Sequence, residues 1–286
     1  MYISTKDWKA YIDKLRALNE TAAQKIIAYV QKYGFANTDA LIRYCYAIVN
    51  KYGTGSAALS AAMYDATAAM SKVAVPAAEM ASIASYGEVA KTVNGVLKTS
   101  LNVDELAGAV SRLVKKAGCD TTLQNAVRDS HSNESYSTGR RKYGKKANTG
   151  AQFAWVPMGD TCAFCLALAA NGWQYQTKQG AAAHAEHIHS NCDCTYAVRF
   201  GNYGGIEGYD PDAIADQIWN DVVAQGATDG YKDLDSFYHG AFNSDVINAV
   251  RRQNYARNKE EINEQKRSAY EKRQELNSSA AEESEA

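Results

Sequence analysis

The sequence predicts a mainly α-helical protein with a small α+β part: an N-terminal helical bundle, a compact cysteine-rich module and a long charged C-terminal helix. Three observations carry this. Apolar residues recur at three- and four-residue steps through most of the first 120 positions. Proline, which interrupts helices, occurs only 3 times. Short alternating apolar segments of strand type appear only around a cluster of cysteines and histidines between Gln152 and Phe200.

The first predicted helix carries Trp8, Tyr11, Ile12, Leu15, Leu18, Ala22, Ile26, Tyr29, Val30 and Tyr33 on one stripe and stops at Gly34. A second stripe, Leu41, Tyr44, Cys45, Ile48, Val49 and Tyr52, is expected to close at Gly53. Gly53 to Ser71 is alanine-rich with Met63 and Met70, a composition for close helix packing in a core. Pro76 is expected to open a further helix running through Met80, Ile83, Val89, Val93 and Leu97. Asn102 with Glu105 reads as a capping box before Leu106, Val110, Leu113 and Val114, with Gly118 as the stop. Residues 1–120 are therefore assigned to a helical domain, 121–243 to the cysteine-rich α+β domain and 244–286 to a charged helical arm with a disordered tail.

In the middle domain, Gln152–Val156 and Thr195–Phe200 read as strands, Trp173–Tyr175 as another, and Leu166–Ala170 as a short helix ended by Gly172. Asp210 followed by Pro211 opens a helix with Ile214, Ile218, Trp219, Val222 and Val223 on its face. Another helix begins at Ser244 with Val246, Ile247 and Val250. Beyond Arg251 apolar positions thin out among balanced charges, the texture of a solvated helix or of an arm that folds on a partner.

The most specific stretch is Cys162-Ala-Phe-Cys165 followed by His189-Ser-Asn-Cys192-Asp-Cys194. Two cysteines two residues apart can aim both sulfurs at one point, and a later histidine with a Cys-x-Cys pair can complete a tetrahedron of soft ligands. Zinc is the cofactor this pattern implies, with Cys162, Cys165, His189, Cys192 and Cys194 as candidates for four positions and His187 as a weaker sixth. A redox pair would need no ligands downstream, and Cys45 and Cys119 read as inert buried thiols. His184-Ala-Glu186 matches the H-x-E of zinc deaminases, but there it precedes the Cys pair, and here it follows. Glu186-His187-Ile188 resembles the histidine strand of treble-clef nucleases. A full set of thiolate and imidazole ligands leaves no water position, so the expected role is structural and no enzymatic activity is expected.

Composition bounds the remaining classes. With 31 basic and 32 acidic residues the chain has no global field for a phosphate backbone. No apolar run approaches a membrane span, and the N-terminus lacks the apolar centre of a signal peptide. One local basic run, Arg140, Arg141, Lys142, Lys145 and Lys146, reads as a solvated loop, with contact to packaged DNA as the alternative.

The order Val156-Pro-Met-Gly-Asp160-Thr161-Cys162-Ala-Phe-Cys165, Ala170, Gly172 and Tyr175, then His189, Cys192 and Cys194, resembles the Mu F-like minor head proteins of tailed bacteriophages. Asn125, Arg128 and Asp129 lie where many members have a similar polar helix end, and Asn258–Arg267 is similar to the charged ends of related phage proteins. The resemblance covers about 120–275. The chain departs from the pattern at Ser190, where proline often follows the histidine, and at Asp193, where arginine is frequent; neither position is a candidate ligand. What the resemblance implies is a minor capsid, head-morphogenesis protein present in few virion copies. It would meet the portal or major capsid protein, reside in the phage head after assembly in the host cytoplasm, and carry out no reaction of its own. The alternatives are a zinc-dependent nuclease or deaminase, and a zinc-finger module that holds DNA.

Overall fold

The computed structural model describes residues 2–130, 150–157, 165–166, 169, 172–173, 195–201, 203–224, 226, 244–257, 259–260, 263–264 and 267. The chain divides into two units, Met1–Thr161 with Asn171–Pro211, and Cys162–Ala170 with Asp212–Ala286. Mainly helical architecture with a small sheet is what the periodicities predict.

In the first unit α1 spans Thr5–Tyr33. Ser4 caps it by accepting a 3.1 Å bond from the Asp7 N–H, and Gly34, at φ 67°, returns its own N–H to the Val30 carbonyl. Of the predicted stripe, Trp8, Tyr11, Ile12, Ala22, Ile26 and Val30 are buried and Leu15, Leu18 and Tyr29 half-buried, but its last member, Tyr33, is 59% exposed and lies under the Lys32 ammonium. Helix α2 then runs unbroken over Thr38–Ser71. The expected stop at Gly53 is incorrect: glycine inside a helix costs only about 1 kcal/mol, and here its missing Cβ makes room for Ile83, whose Cγ2 would lie 3.1 Å away.

The helix expected from Pro76 does not form. After a left-handed residue at Lys72 (φ 56°), residues 73–85 run without regular structure, and α3 begins only at Tyr86, ending at Thr99. Side chains of α2 and of α4, Val103–Ser130, take the place of helical hydrogen bonds. The N–H groups of Ala78, Glu79 and Ala81 donate to Asp65 Oδ1, Asn125 Oδ1 and Thr121 Oγ1 at 2.8, 3.0 and 3.0 Å. The carbonyls of Pro76, Ala77 and Glu79 accept from Arg128, Gln124 and Asn125. A strap satisfied in this way gains nothing by coiling. Ser85 and Glu88 form the reciprocal capping box that starts α3.

Asn102 does cap α4, accepting from the N–H groups of Asp104 and Glu105, while its own N–H goes to Ser100 Oγ at 3.0 Å. Gly118 does not stop α4. A Cβ there would sit 2.5 Å from Ser56 Oγ and 2.9 Å from Ser60 Oγ, so this glycine lets α2 and α4 approach closely. One apolar cluster joins all four helices through Ile26, Leu41, Val49, Val93, Leu106 and Val110.

The sheet is three-stranded in the order β1–β2–β3, from Ala151–Val156, Thr195–Phe200 and Tyr203–Gly204. Both long strands match the alternating segments read from the sequence. β1 and β2 are antiparallel, with Val156 opposite Thr195 and Ala151 opposite Phe200. Ile3 adds a parallel bridge to Ile206 through bonds to Gly205 and Glu207, both 2.9 Å. Sheet and bundle share a core: Val156, Ala197 and Ile206 pack with Trp8, Tyr11 and Ile12, and the Tyr64 ring meets Phe200 edge-on.

In the second unit, Cys165, Leu166 and Ala169 are helical, as predicted for that stretch. Helix α5, Pro211–Ala224, starts at the proline; it buries Ala215 and Ile218, while Val223 is 48% exposed. Helix α6, Ser244–Arg257, buries Ala249 and Val250.

Candidate functional site

The register of β1 and β2 frames the cysteine–histidine stretch. Because Val156 and Thr195 are paired, residues 157–194 leave the sheet and return to it at one point. Cys194 directly precedes the first residue of β2. Of the five predicted ligands, Cys165 lies among the described residues, where it is helical, 2% exposed and not disulfide-bonded. Cys162, His189, Cys192 and Cys194 lie outside them, as do His184, Glu186, His187 and the basic run Arg140, Arg141, Lys142, Lys145 and Lys146. Among the described residues no three His, Cys, Asp or Glu side chains form a metal-binding group. The donor set itself, thiols with an imidazole on an excursion closed at its ends, suits zinc by ligand softness and by loop closure.

A second polar constellation lies where α2 meets the end of α4. Tyr64 donates to Asp129 Oδ2 at 2.7 Å, and the Arg128 guanidinium grips both oxygens of the same carboxylate at 2.9 Å. Arg128 also reaches the Pro76 and Ala77 carbonyls, and Asn125 donates to the Glu79 carbonyl while accepting the Glu79 N–H. The three residues marked by the sequence, Asn125, Arg128 and Asp129, are thus brought together as a clamp on the strap. Burial raises the Tyr64 phenol above its ordinary pKa, and the bond to Asp129 raises it further, so it stays a donor. These bonds join the clamp's residues to the strap backbone and to one another, and so fasten the strap to the end of α4.

Tyr11 and Ser60 form a smaller buried pair at 3.0 Å below the sheet, and burial pushes the Tyr11 phenol up to about 12. The sequence marked Tyr11 only as apolar; what betrays its second role is a serine-rich stripe, Ser56 and Ser60, on the facing helix.

A family model described as VG15 protein matches residues 2–221. That span takes in all four bundle helices, the sheet and the whole cysteine–histidine stretch, and ends before α6. It therefore reaches the N-terminal bundle, which the motif resemblance does not. No curated protein and no solved structure matches. No helix among the described residues is long and apolar enough to cross a membrane.

Proposed function

Because the chain belongs to the VG15 protein family, a family of viral gene products, and is by that membership a phage protein, we propose that it is a minor capsid protein acting in head morphogenesis. The observation that carries this reading is the Cys162-x-x-Cys165 and His189-x-x-Cys192-x-Cys194 pair of elements, which resembles the Mu F-like minor head proteins. In this reading the protein enters the head in few copies and meets the portal or the major capsid protein. Zinc, held by Cys162 and Cys165 with two of His189, Cys192 and Cys194, supplies cross-linking rather than chemistry. A closed ligand set has no bound water to activate. The paired ends at Val156 and Thr195 support a cross-linked excursion, since they already fix its entry and exit.

The test is to measure the protein and its metal in purified virions. Quantitative mass spectrometry should find it in the head at a small fraction of the major capsid protein, and elemental analysis of the purified chain should give one zinc. Cys162→Ser should lose the metal and with it several kcal/mol of folding free energy, since structural zinc supplies on the order of 10 kcal/mol in small modules. Absence from virions, or a metal-dependent nuclease or deaminase activity that vanishes in Glu186→Gln, overturns the proposal.

A further inference from the structure

A cavity of about 300 Å³ opens in the first unit between α1, α4 and the start of β2. That volume is at the small end of ligand sites. Its α1 wall is one stripe, Ile12, Leu15, Arg16, Asn19 and Glu20, at the three- and four-residue spacing that places side chains on a single face. Lys115, Gly118 and Cys119 line it from α4, and Ser56 lines it from α2.

Two features are not explained by packing. Asn19 Oδ1 is buried and accepts no hydrogen bond, an arrangement that costs about 1–3 kcal/mol if left unmet. Arg16 and Glu20 stand one turn apart on the same helix, the spacing of Lys9 with Asp13 and of Lys116 with Asp120, yet only the latter two couples form ion pairs. The cavity thus combines a lone buried acceptor, one unpaired charge of each sign and an apolar wall.

We propose that this cavity binds a small aliphatic α-amino acid or a close zwitterionic analogue. The carboxylate lies toward Arg16, with Lys115 adding positive charge. The ammonium donates to Asn19 Oδ1 and is balanced by Glu20, and the aliphatic group rests on Ile12 and Leu15. Neither a simple anion nor a simple amine satisfies all of these groups. Cys165, the candidate zinc ligand that lies among the described residues, does not line it.

Calorimetric titration of the full-length protein with L-leucine, 4-methylpentanoate and isopentylamine tests this. L-Leucine should bind, and the two analogues, which lack the ammonium or the carboxylate, should each bind at least about ten-fold more weakly. Arg16→Ala and Asn19→Leu should each weaken leucine by a similar factor, while Asn19→Leu leaves the thermal midpoint unchanged or higher, since it removes an unmet acceptor. Absence of leucine binding at millimolar concentration, binding that survives both substitutions, or equal binding of either analogue overturns the proposal.

Discussion

Gly118 shows how one missing methyl sets the distance between two helices. Alanine would favour α4 by about 1 kcal/mol on propensity alone. The new Cβ would also meet Ser56 Oγ at 2.5 Å and the Ser56 carbonyl at 3.2 Å, and a carbonyl cannot rotate away. Overpacking of this kind costs about 1–3 kcal/mol, so, less the propensity gain, Gly118→Ala is expected to destabilise by up to about 2 kcal/mol in urea melts. Ser56→Ala in the same chain should return part of the loss, read as a coupling energy in a double-mutant cycle. Gly53 belongs to the same class. Both glycines were legible as interruptions of an apolar stripe, and both were assigned as stops, because a sequence shows where a Cβ is missing but not which neighbour occupies its place. Gly34, with no neighbour near its absent Cβ, does end its helix.

At the level of elements, the strap before α3 is the segment that sequence periodicity misreads. Pro76, Met80 and Ile83 have helical spacing, but the polar side chains that hold residues 76–81 come from Asp65 and from Thr121 to Arg128, far away in sequence. The α3 cap, in contrast, is wholly local. Glu88 accepts the Ser85 N–H at 2.8 Å and the Ser85 hydroxyl at 2.9 Å, and these bonds hold its carboxyl below the ordinary carboxylate range. A lowered folded-state pKa means the carboxylate stabilises the fold above the ordinary value and loses that contribution as pH falls through the lowered one. Ser85→Ala should cost about 1 kcal/mol at neutral pH. The cost should shrink below about pH 4, as protonation weakens Glu88 in both proteins. Urea melts of the two proteins across pH read the difference directly. A cost that stays flat into acid would mean that the Glu88 half of the box contributes nothing.

For the whole molecule, the helical bundle, the two long strands and the starts of α5 and α6 were readable because each obeys a short-range rule of periodicity or capping. The sheet's shared core with α1 was not readable, since it depends on Ile3 meeting Ile206 and on Trp8 meeting Val156 and Ala197. Of the candidate metal site, the ligand types and spacing are visible in the sequence, and the structure adds the pairing of Val156 with Thr195 on either side of the stretch and the buried position of Cys165. The arm from Ser244 onward divides as cleanly. Ala249 and Val250 are buried, whereas Arg251, Arg252, Tyr255, Lys259, Glu260, Glu264 and Arg267 are exposed. Deleting Arg251–Ala286 should therefore leave far-ultraviolet circular dichroism of the remaining helices and the melting transition of the first unit intact. If the arm is what meets the portal or capsid, the same truncation should abolish incorporation into virions, measured by immunoblotting of purified particles. Normal incorporation would assign docking to residues before 251.

The bridge from Ile3 to Ile206 also sets a timetable for synthesis. Ile3 is pinned by Ile206, which follows it by about 200 positions and is among the last residues that the first unit requires. At 5–20 residues per second, about 10–40 s separate the two. Helices α1 to α4 share a core of their own and are expected to close among themselves during that interval, with the faces of Trp8, Tyr11 and Ile12 uncovered until the strands are made. A nascent chain stalled before residue 195 would carry a finished bundle with that apolar face open, and chaperones should hold it there until the strands arrive.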